Sequence, residues 1–365
     1  MIAYRRPDSI FLALIISLCT LGVIIFSSAS SAESFQTLGD PNGLLIKQII
    51  PLLMGFIFSY FLQSLDYQKL LKWSKIILII SFVLLFLPFI PGIGKELLGA
   101  SRWINIGGFF FQPSEALKTA MIIFLAAWLP GIRNNWQNLS KSFYPFVAIL
   151  GLASVILMLQ SDLGTTIILF IIAVVMYFAA GAPVKHLLWM FLGIIIVVLL
   201  MVKIEPYRAS RLTTFLNPNQ DVQGTGYHIN RSLLAIGSGG LFGRGLGKSV
   251  QKFNNLPEAA GDSIFAVAAE ELGFFAVLGI VALYAALFIR GRRLIAKCSD
   301  EGGRLIMIGT ITWITAQAFV NIGALTALLP LTGVPLPFIS NGGTALIFLL
   351  ASTGIFLNVT KQLRS

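Results

Sequence analysis

Apolar runs long enough to cross a lipid bilayer dominate the chain. A membrane helix needs about 20 predominantly apolar residues. Such windows fall at roughly 10–27, 44–62, 74–90, 115–130, 143–159, 164–181, 186–203, 272–290, 305–325 and 342–360. The pattern predicts an all-α polytopic membrane protein of about ten transmembrane helices, with 1–365 as a single integral membrane domain. The connection 204–271 between the seventh and eighth spans is long, and long unstructured loops inside a compact domain are uncommon unless functional. Its close alternation of aromatic, Gly, Pro and charged residues predicts an ordered surface lying on the bundle. Shorter polar connections, roughly 91–114 and 326–341, fall on the same side. The first run follows Arg5 and Arg6 and has the look of a secretory leader. Its length and its lack of a small-residue cleavage site read instead as a retained span.

Composition agrees. Apolar residues make up 56% of the chain and charged residues 11%, with a mean hydropathy of +0.86. Those values exclude a disordered chain and an ordinary soluble enzyme. The net charge of +11 then needs a location. With ten spans both termini share one side, and that side collects Arg5, Arg6, Lys69, Lys72, Lys75, Arg133, Lys141, Lys185, Arg290, Arg292, Arg293, Lys297, Arg304, Lys361 and Arg364. Only Asp8, Asp66, Asp300 and Glu301 oppose them there, so the whole excess lies on that side and the other is balanced. By the positive-inside rule the basic side is cytoplasmic. The charge orients the bundle and calls for no nucleic acid. Cys19 lies inside a span and Cys298 in a cytoplasmic connection, which argues against a disulfide. His186 and His228 fall on opposite faces, which removes a site built on paired His ligands.

The candidate chemistry therefore gathers on the outer side. Gly237 to Ser249 has the look of a phosphate loop but places Phe242 where that motif needs Gly. Tight turns and close helix packing explain its glycines, with backbone amides facing an anionic substrate as the alternative. Asp262 precedes a helix-like stretch and suits an N-cap. Glu270 and Glu271 fall near the start of the eighth span, where carboxylates suit the helix dipole or pair with a cation. Near 112, Pro113 and Glu115 suit a helix start, and Lys118 stands three residues beyond Glu115, close enough for a local ion pair. The functional alternative sets Lys118 and Arg102 beside an anionic group. Gln160 and Asp162 occupy a short hairpin, as turn caps or as the lining of a pathway. Gly342-Gly343-Thr344, just after Ser340, opens the tenth span.

Taken in this order and topology, the segments resemble the SEDS family (shape, elongation, division and sporulation), which comprises FtsW, RodA and SpoVE, over nearly the whole chain. The likeness rests on Gly99-Ala100-Ser101-Arg102-Trp103-Ile104, Gln112-Pro113-Ser114-Glu115 with Lys118, and Gln160-Ser161-Asp162-Leu163-Gly164-Thr165. It continues through Ala235 to Gly240, Leu256-Pro257-Glu258, Ile264-Phe265-Ala266 with Glu270-Glu271-Leu272-Gly273, and Pro330 to Phe338. The stretch Gly245 to Lys252 followed by Leu256-Pro257-Glu258 is similar to the cell-division FtsW branch more than to the elongation RodA branch. Two positions depart from the family pattern: Gly261-Asp262-Ser263 stands for Thr-Asp-Phe, and Asn341-Gly342-Gly343 for Tyr-Gly-Gly.

The resemblance implies a peptidoglycan glycosyltransferase that polymerises lipid II into glycan strands on the outer face of the cytoplasmic membrane, at the division septum. Undecaprenyl pyrophosphate would be the leaving group. It also implies a class B penicillin-binding protein transpeptidase and other cell-division membrane proteins as partners. Asp262 matches the catalytic aspartate of the family, and a base is required to take the hydroxyl proton. Lys118 and Arg102, or Arg208 and Arg211 in the long loop, would hold the pyrophosphate, with Lys252 and Glu258 on substrate. Glu115, Gln160, Asp162, Glu271 and Ser340 would support them. A divalent cation such as Mg or Mn fits the chemistry, though no ligand cluster stands out. The rival readings are a lipid II flippase, an elongation-type polymerase and a non-catalytic scaffold. A transporter would carry ionisable residues near the middle of several spans, whereas here they gather at the outer ends.

Overall fold

The structure is a computed structural model that describes residues 6–97, 100–107, 109–190, 192–193, 225–253 and 256–363. Among the described residues six helices are long and apolar enough to cross a membrane: α1 (Ser9–Ala29), α3 (Gly43–Ser64), α6 (Pro113–Ile132), α10 (Ile264–Ala296), α11 (Glu301–Leu325) and α12 (Gly343–Thr360). Three shorter apolar helices, α5 (Ser74–Phe86), α7 (Phe143–Leu159) and α8 (Leu163–Ala179), match further expected spans. Short helices α2 (Ser31–Leu38), α4 (Tyr67–Lys72) and α9 (Thr225–Ser238) lie between them. The chain is thus a helical, polytopic membrane protein. Most of the expected seventh span, 186–203, and the first part of the long connection lie outside the described residues.

The helices begin where the sequence supplies caps. Asp8, Asp66, Asp162 and Asp300 each accept a backbone N–H from the first turn of the helix that follows, satisfying donors that have no partner within the helix. Pro113 opens α6, where a missing N–H costs nothing. The deepest packing surrounds α6, α8, α11 and α12, with Trp313 and Leu350 almost fully buried. Phe11 of α1 stacks on Phe356 of α12 with ring centroids 4.1 Å apart.

Two features depart from the hydropathy reading. Three strands, β1 (Gly94–Leu97), β2 (Ala100–Ile106) and β3 (Phe109–Phe111), form a small antiparallel sheet in order β1-β2-β3. Gly107-Gly108 between β-branched and aromatic runs is the hairpin signal for β2 and β3. The eighth span, expected at 272–290, is also preceded by a helical segment that the hydropathy reading did not include. Residues 264–271 already belong to α10, whose 33 residues contain a break at Gly273 (φ 81°, ψ 180°). A Cβ there would sit 2.7 Å from the Leu241 carbonyl oxygen, so the break lets the loop backbone press against the helix.

The bundle has two chemically distinct ends. At one, Arg290 donates to Asp8, with Nε 3.0 Å from Oδ1, and the Asp8 amide donates to Thr360. The Tyr67 hydroxyl donates to Asp300 at 3.1 Å, Lys361 donates to the Gln63 carbonyl at 2.9 Å, and Arg133 pairs with Glu301. This is the end that carries the basic excess. His186, hydrogen-bonded to the Tyr177 hydroxyl, lies toward it, while His228 is at the opposite end, as expected. Cys19 and Cys298 are both free.

Helices α3 and α12 meet through Gly354, where a Cβ would fall 2.7 Å from the Ser59 Cα. Gly354→Leu is therefore expected to force the two helices apart and to destabilise the bundle by about 1–3 kcal/mol, the usual cost of overpacking. A lower melting temperature of the purified protein in detergent checks it.

Candidate active site

The end opposite the basic one is built from the sheet, the 160–162 turn, the 239–263 loop and the 326–342 connection. Its polar floor centres on Asp162, which is buried and caps α8 through Oδ1 and the Thr165 amide at 3.1 Å. Oδ2 accepts from Gln112 Nε2 at 3.0 Å and from the Ser114 hydroxyl at 3.3 Å. Arg102 on β2 approaches the same carboxylate at 3.9 Å, and its buried Nε has no hydrogen-bond partner among the described residues. Gln160 turns inward and donates to the Leu85 carbonyl at 2.6 Å. Asp162 thus caps α8 and ties it to the start of α6, while Gln160 ties the turn between α7 and α8 to the end of α5.

One turn into α6 lies a fully buried ion pair. Lys118 Nζ is 2.9 Å from Glu115 and 4.6 Å from the centroid of the Trp313 ring. Gln317 of α11 continues the network. It accepts from Trp313 Nε1 at 2.7 Å and donates to the Pro335 carbonyl at 2.9 Å. Ser340 is also structural in its contacts, accepting from the Leu336 amide at 2.8 Å, while its carbonyl accepts from Gln48.

A second buried network locks the long loop to α10. Glu270 accepts from the Ser249 hydroxyl at 2.6 Å and from the amides of Val250 and Gln251. Arg244 stands 3.5 Å from the same carboxylate. Glu271 accepts from the Ser28 hydroxyl, the Ser249 amide and Lys252 Nζ, the last at 2.8 Å. Lys252, expected on substrate, is instead buried, with its ammonium held by Glu271 and Ser28. Lone-pair and proton demands are met internally, which removes it from the cleft.

Above these layers lies the turn that carries Asp262. Glu258 adopts a left-handed backbone (φ 48°), and its carbonyl accepts from the amides of Gly261 at 2.9 Å and Ser263 at 3.2 Å. Three other elements grip the turn. Asn341 donates to the Ala260 carbonyl at 2.9 Å. Asn321 of α11 donates to the Asp262 carbonyl at 2.7 Å and to the Val334 carbonyl at 2.8 Å. His228 of α9 meets the Ser263 hydroxyl at 2.6 Å. The N-cap of α10 is Ser263, so Asp262 stands one residue outside the cap. It lines a small cleft with Asn321, Leu331, Thr332 and Gly333. Glu258 reaches solvent at the rim. The surrounding protein nevertheless raises its pKa by desolvation, the Asp262 charge adds to the rise, and Arg102 opposes it. Glu33 of α2 is raised in the same direction by burial, with the Glu258 charge adding. Among the described residues no three His, Cys, Asp or Glu side chains form a ready-made metal site.

The family model described as "Cell cycle protein", for FtsW, RodA and SpoVE, matches residues 9–365. The chain belongs to this SEDS family. It is 39% identical over 360 residues to stage V sporulation protein E of Bacillus subtilis (strain 168), covering 98% of both chains. It is 38% identical over 357 residues to a protein named probable peptidoglycan glycosyltransferase FtsW of Geobacter sp. (strain M18), covering 98% of this chain and 97% of the relative. Among solved structures it resembles a chain from a study of the structural coordination of polymerization and crosslinking by a peptidoglycan synthase complex. There the TM-score is 0.79 at 27% identity, over 97% of each chain. The rod shape determining protein RodA of Thermus thermophilus gives a TM-score of 0.71 at 27% identity over 98% of each chain.

Of the residues expected at the SEDS site, the structure brings together Asp262, Glu258 and Arg102, with Asp162 beneath. Lys118 with Glu115, and Lys252 with Glu271, form separate interior pairs. Arg208 and Arg211 lie outside the described residues. Ser28, Gln317, Asn321 and His228 were not singled out for these contacts. The polar side chains of Gln317 and Asn321 inside an apolar span were the available signal, since such groups face the bundle interior.

Two outcomes follow. Lys252→Met alone leaves Glu271 buried without its cation and should destabilise the protein by about 3–5 kcal/mol, while Lys252→Met with Glu271→Leu recovers most of that loss; melting temperatures of the three proteins check it. Removing the positive charge in Arg102→Gln should raise the Glu258 pKa further, and removing the negative one in Asp262→Asn should lower it. Carboxyl-labelled NMR titration reads both signs.

Proposed function

We propose that the chain is a peptidoglycan glycosyltransferase that polymerises lipid II at the outer face of the cytoplasmic membrane, with both termini cytoplasmic. The observation that carries the reading is the Asp262 carboxylate. It sits on a turn pinned by α9, α11 and the 341 segment, within electrostatic reach of Glu258, which also senses Arg102. This cleft lies at the end of the bundle away from the basic excess, where an exported lipid-linked substrate presents its sugars.

Asp262 accepts the proton of the attacking sugar hydroxyl as that oxygen bonds to the anomeric carbon. The bond from that carbon to the pyrophosphate oxygen breaks, and its electron pair leaves with undecaprenyl pyrophosphate. Direct attack inverts the anomeric centre. Arg102, whose Nε has no hydrogen-bond partner among the described residues, suits the leaving anion together with Arg208 and Arg211. Lys118 and Lys252, each paired inside, stabilise the floor and the loop. Mg or Mn fits this site through Asp262 and Glu258 completed by substrate phosphates, because Mg is commonly held by one or two carboxylates plus phosphate. Such an ion would neutralise charge on the leaving group.

The family description as a cell cycle protein and the relatives named peptidoglycan glycosyltransferase FtsW support a role in septal wall synthesis, with other division membrane proteins as partners. The similar chain from a complex coordinating polymerization with crosslinking supports a class B penicillin-binding protein transpeptidase as partner.

Purified wild-type protein given lipid II should form glycan polymer, and Asp262→Asn should reduce its rate by about 100-fold or more. Normal polymer from a folded Asp262→Asn protein would sink the assignment. Transbilayer movement of lipid II without polymer would point to a flippase.

A further inference from the structure

We propose that His228 is a positioning residue for the reaction at Asp262, acting through Ser263; the inference rests on the reading of Asp262 as the base. The proton count is decisive. Ser263 has a single hydroxyl hydrogen, and its Oγ lies 2.7 Å from the Pro257 carbonyl oxygen, which can only accept. That hydrogen therefore points at Pro257. The 2.6 Å approach of His228 Nε2 to the same Oγ then requires the imidazole to donate. The relay runs from His228 Nε2–H to Ser263 Oγ–H to the Pro257 carbonyl, and it fixes a proton on Nε2.

A second observation agrees. Ser263 is the N-cap residue of α10, yet its side chain makes no capping hydrogen bond. A serine there ordinarily accepts from an amide of the first turn. Its hydroxyl is instead committed between α9 and the 257–258 turn, although the residue is fully buried. Ser263 adjoins Asp262, and its amide donates to the Glu258 carbonyl. The hydroxyl therefore clamps both ends of the segment that presents Asp262 and Glu258. His228, on the first turn of α9, supplies a side-chain donor to that clamp from a different helix. Losing it would free Ser263 to rotate toward the α10 amides and let the Asp262 carboxylate drift. A misplacement of about 1 Å at a reacting group costs about 100-fold in rate.

The test measures initial rates with lipid II in detergent micelles for the full chain. His228→Leu should lower kcat by about 10- to 100-fold with KM changed less than about twofold, because the lost function is orientation and not binding. His228→Gln keeps a donor at similar reach and should restore the rate to within about threefold of wild type. Ser263→Ala should match His228→Leu, and the double variant should be no slower than either, since both cut one relay. Full kcat in His228→Leu, no rescue by Gln, or additive losses would each overturn the proposal. Should His228→Leu fail to fold, Ser263→Ala and His228→Gln carry the same comparison. Asp262→Asn in the same assay separates the two readings. If it polymerises, the base assignment falls; if it is inactive while His228→Leu runs at full rate, only the His228 proposal falls.

Discussion

Two adjacent carboxylates, Glu270 and Glu271, are almost completely buried at the start of α10, and the outer loop is organised by the need to neutralise them. An unpaired charge in that setting would cost several kcal/mol, so each oxygen demands donors. Glu270 takes the Ser249 hydroxyl and two backbone amides, and Glu271 takes Lys252, Ser28 and the Ser249 amide. Apart from Ser28 of α1, those donors come from a loop that must double back onto the helix. The close approach of the Gly243 and Gly273 backbones allows the fold-back. Once it is in place, α1, the loop and α10 form one unit, and the turn holding Asp262 leaves that unit in a defined direction.

The cleft inherits its properties from this rigidity. Asp262 and Glu258 occur on one short turn, close enough for the charge of one to raise the pKa of the other, while Arg102 from the sheet moderates the repulsion. Asp162 belongs to the layer below, where its oxygens are already engaged by Gln112, Ser114 and the α8 cap. This division separates a carboxylate with a cleft before it from one that organises helix ends. It also explains why the small sheet matters: β2 is the element that carries Arg102 over Asp162.

Legibility varied with the range of the interaction. The Glu115–Lys118 pair and the Asp162 cap were readable because both are local, set by helical spacing and by the first turn of a helix. Lys252 and Glu271 are separated by 19 residues and a reversing loop, so Lys252 read as a free cation suited to substrate. The helical segment ahead of the eighth span was not read because two carboxylates in a row end a hydropathy window, although in the fold both are almost fully buried. The relay from His228 to Ser263 spans 35 residues, and a lone histidine carries no positional signal of its own.

The amino-acid pattern by itself determined the helical membrane architecture and the end of the bundle that carries the basic excess, while spacing alone read Asp262 only as a helix cap. Span formation and charge sidedness are averages over many residues, so they survive ignorance of any single contact. Only the tertiary structure decided which charged side chains face the cleft and which are consumed inside the protein. That outcome depends on single hydrogen bonds between distant segments. The low dielectric of the interior makes each such bond obligatory once the loop has folded back.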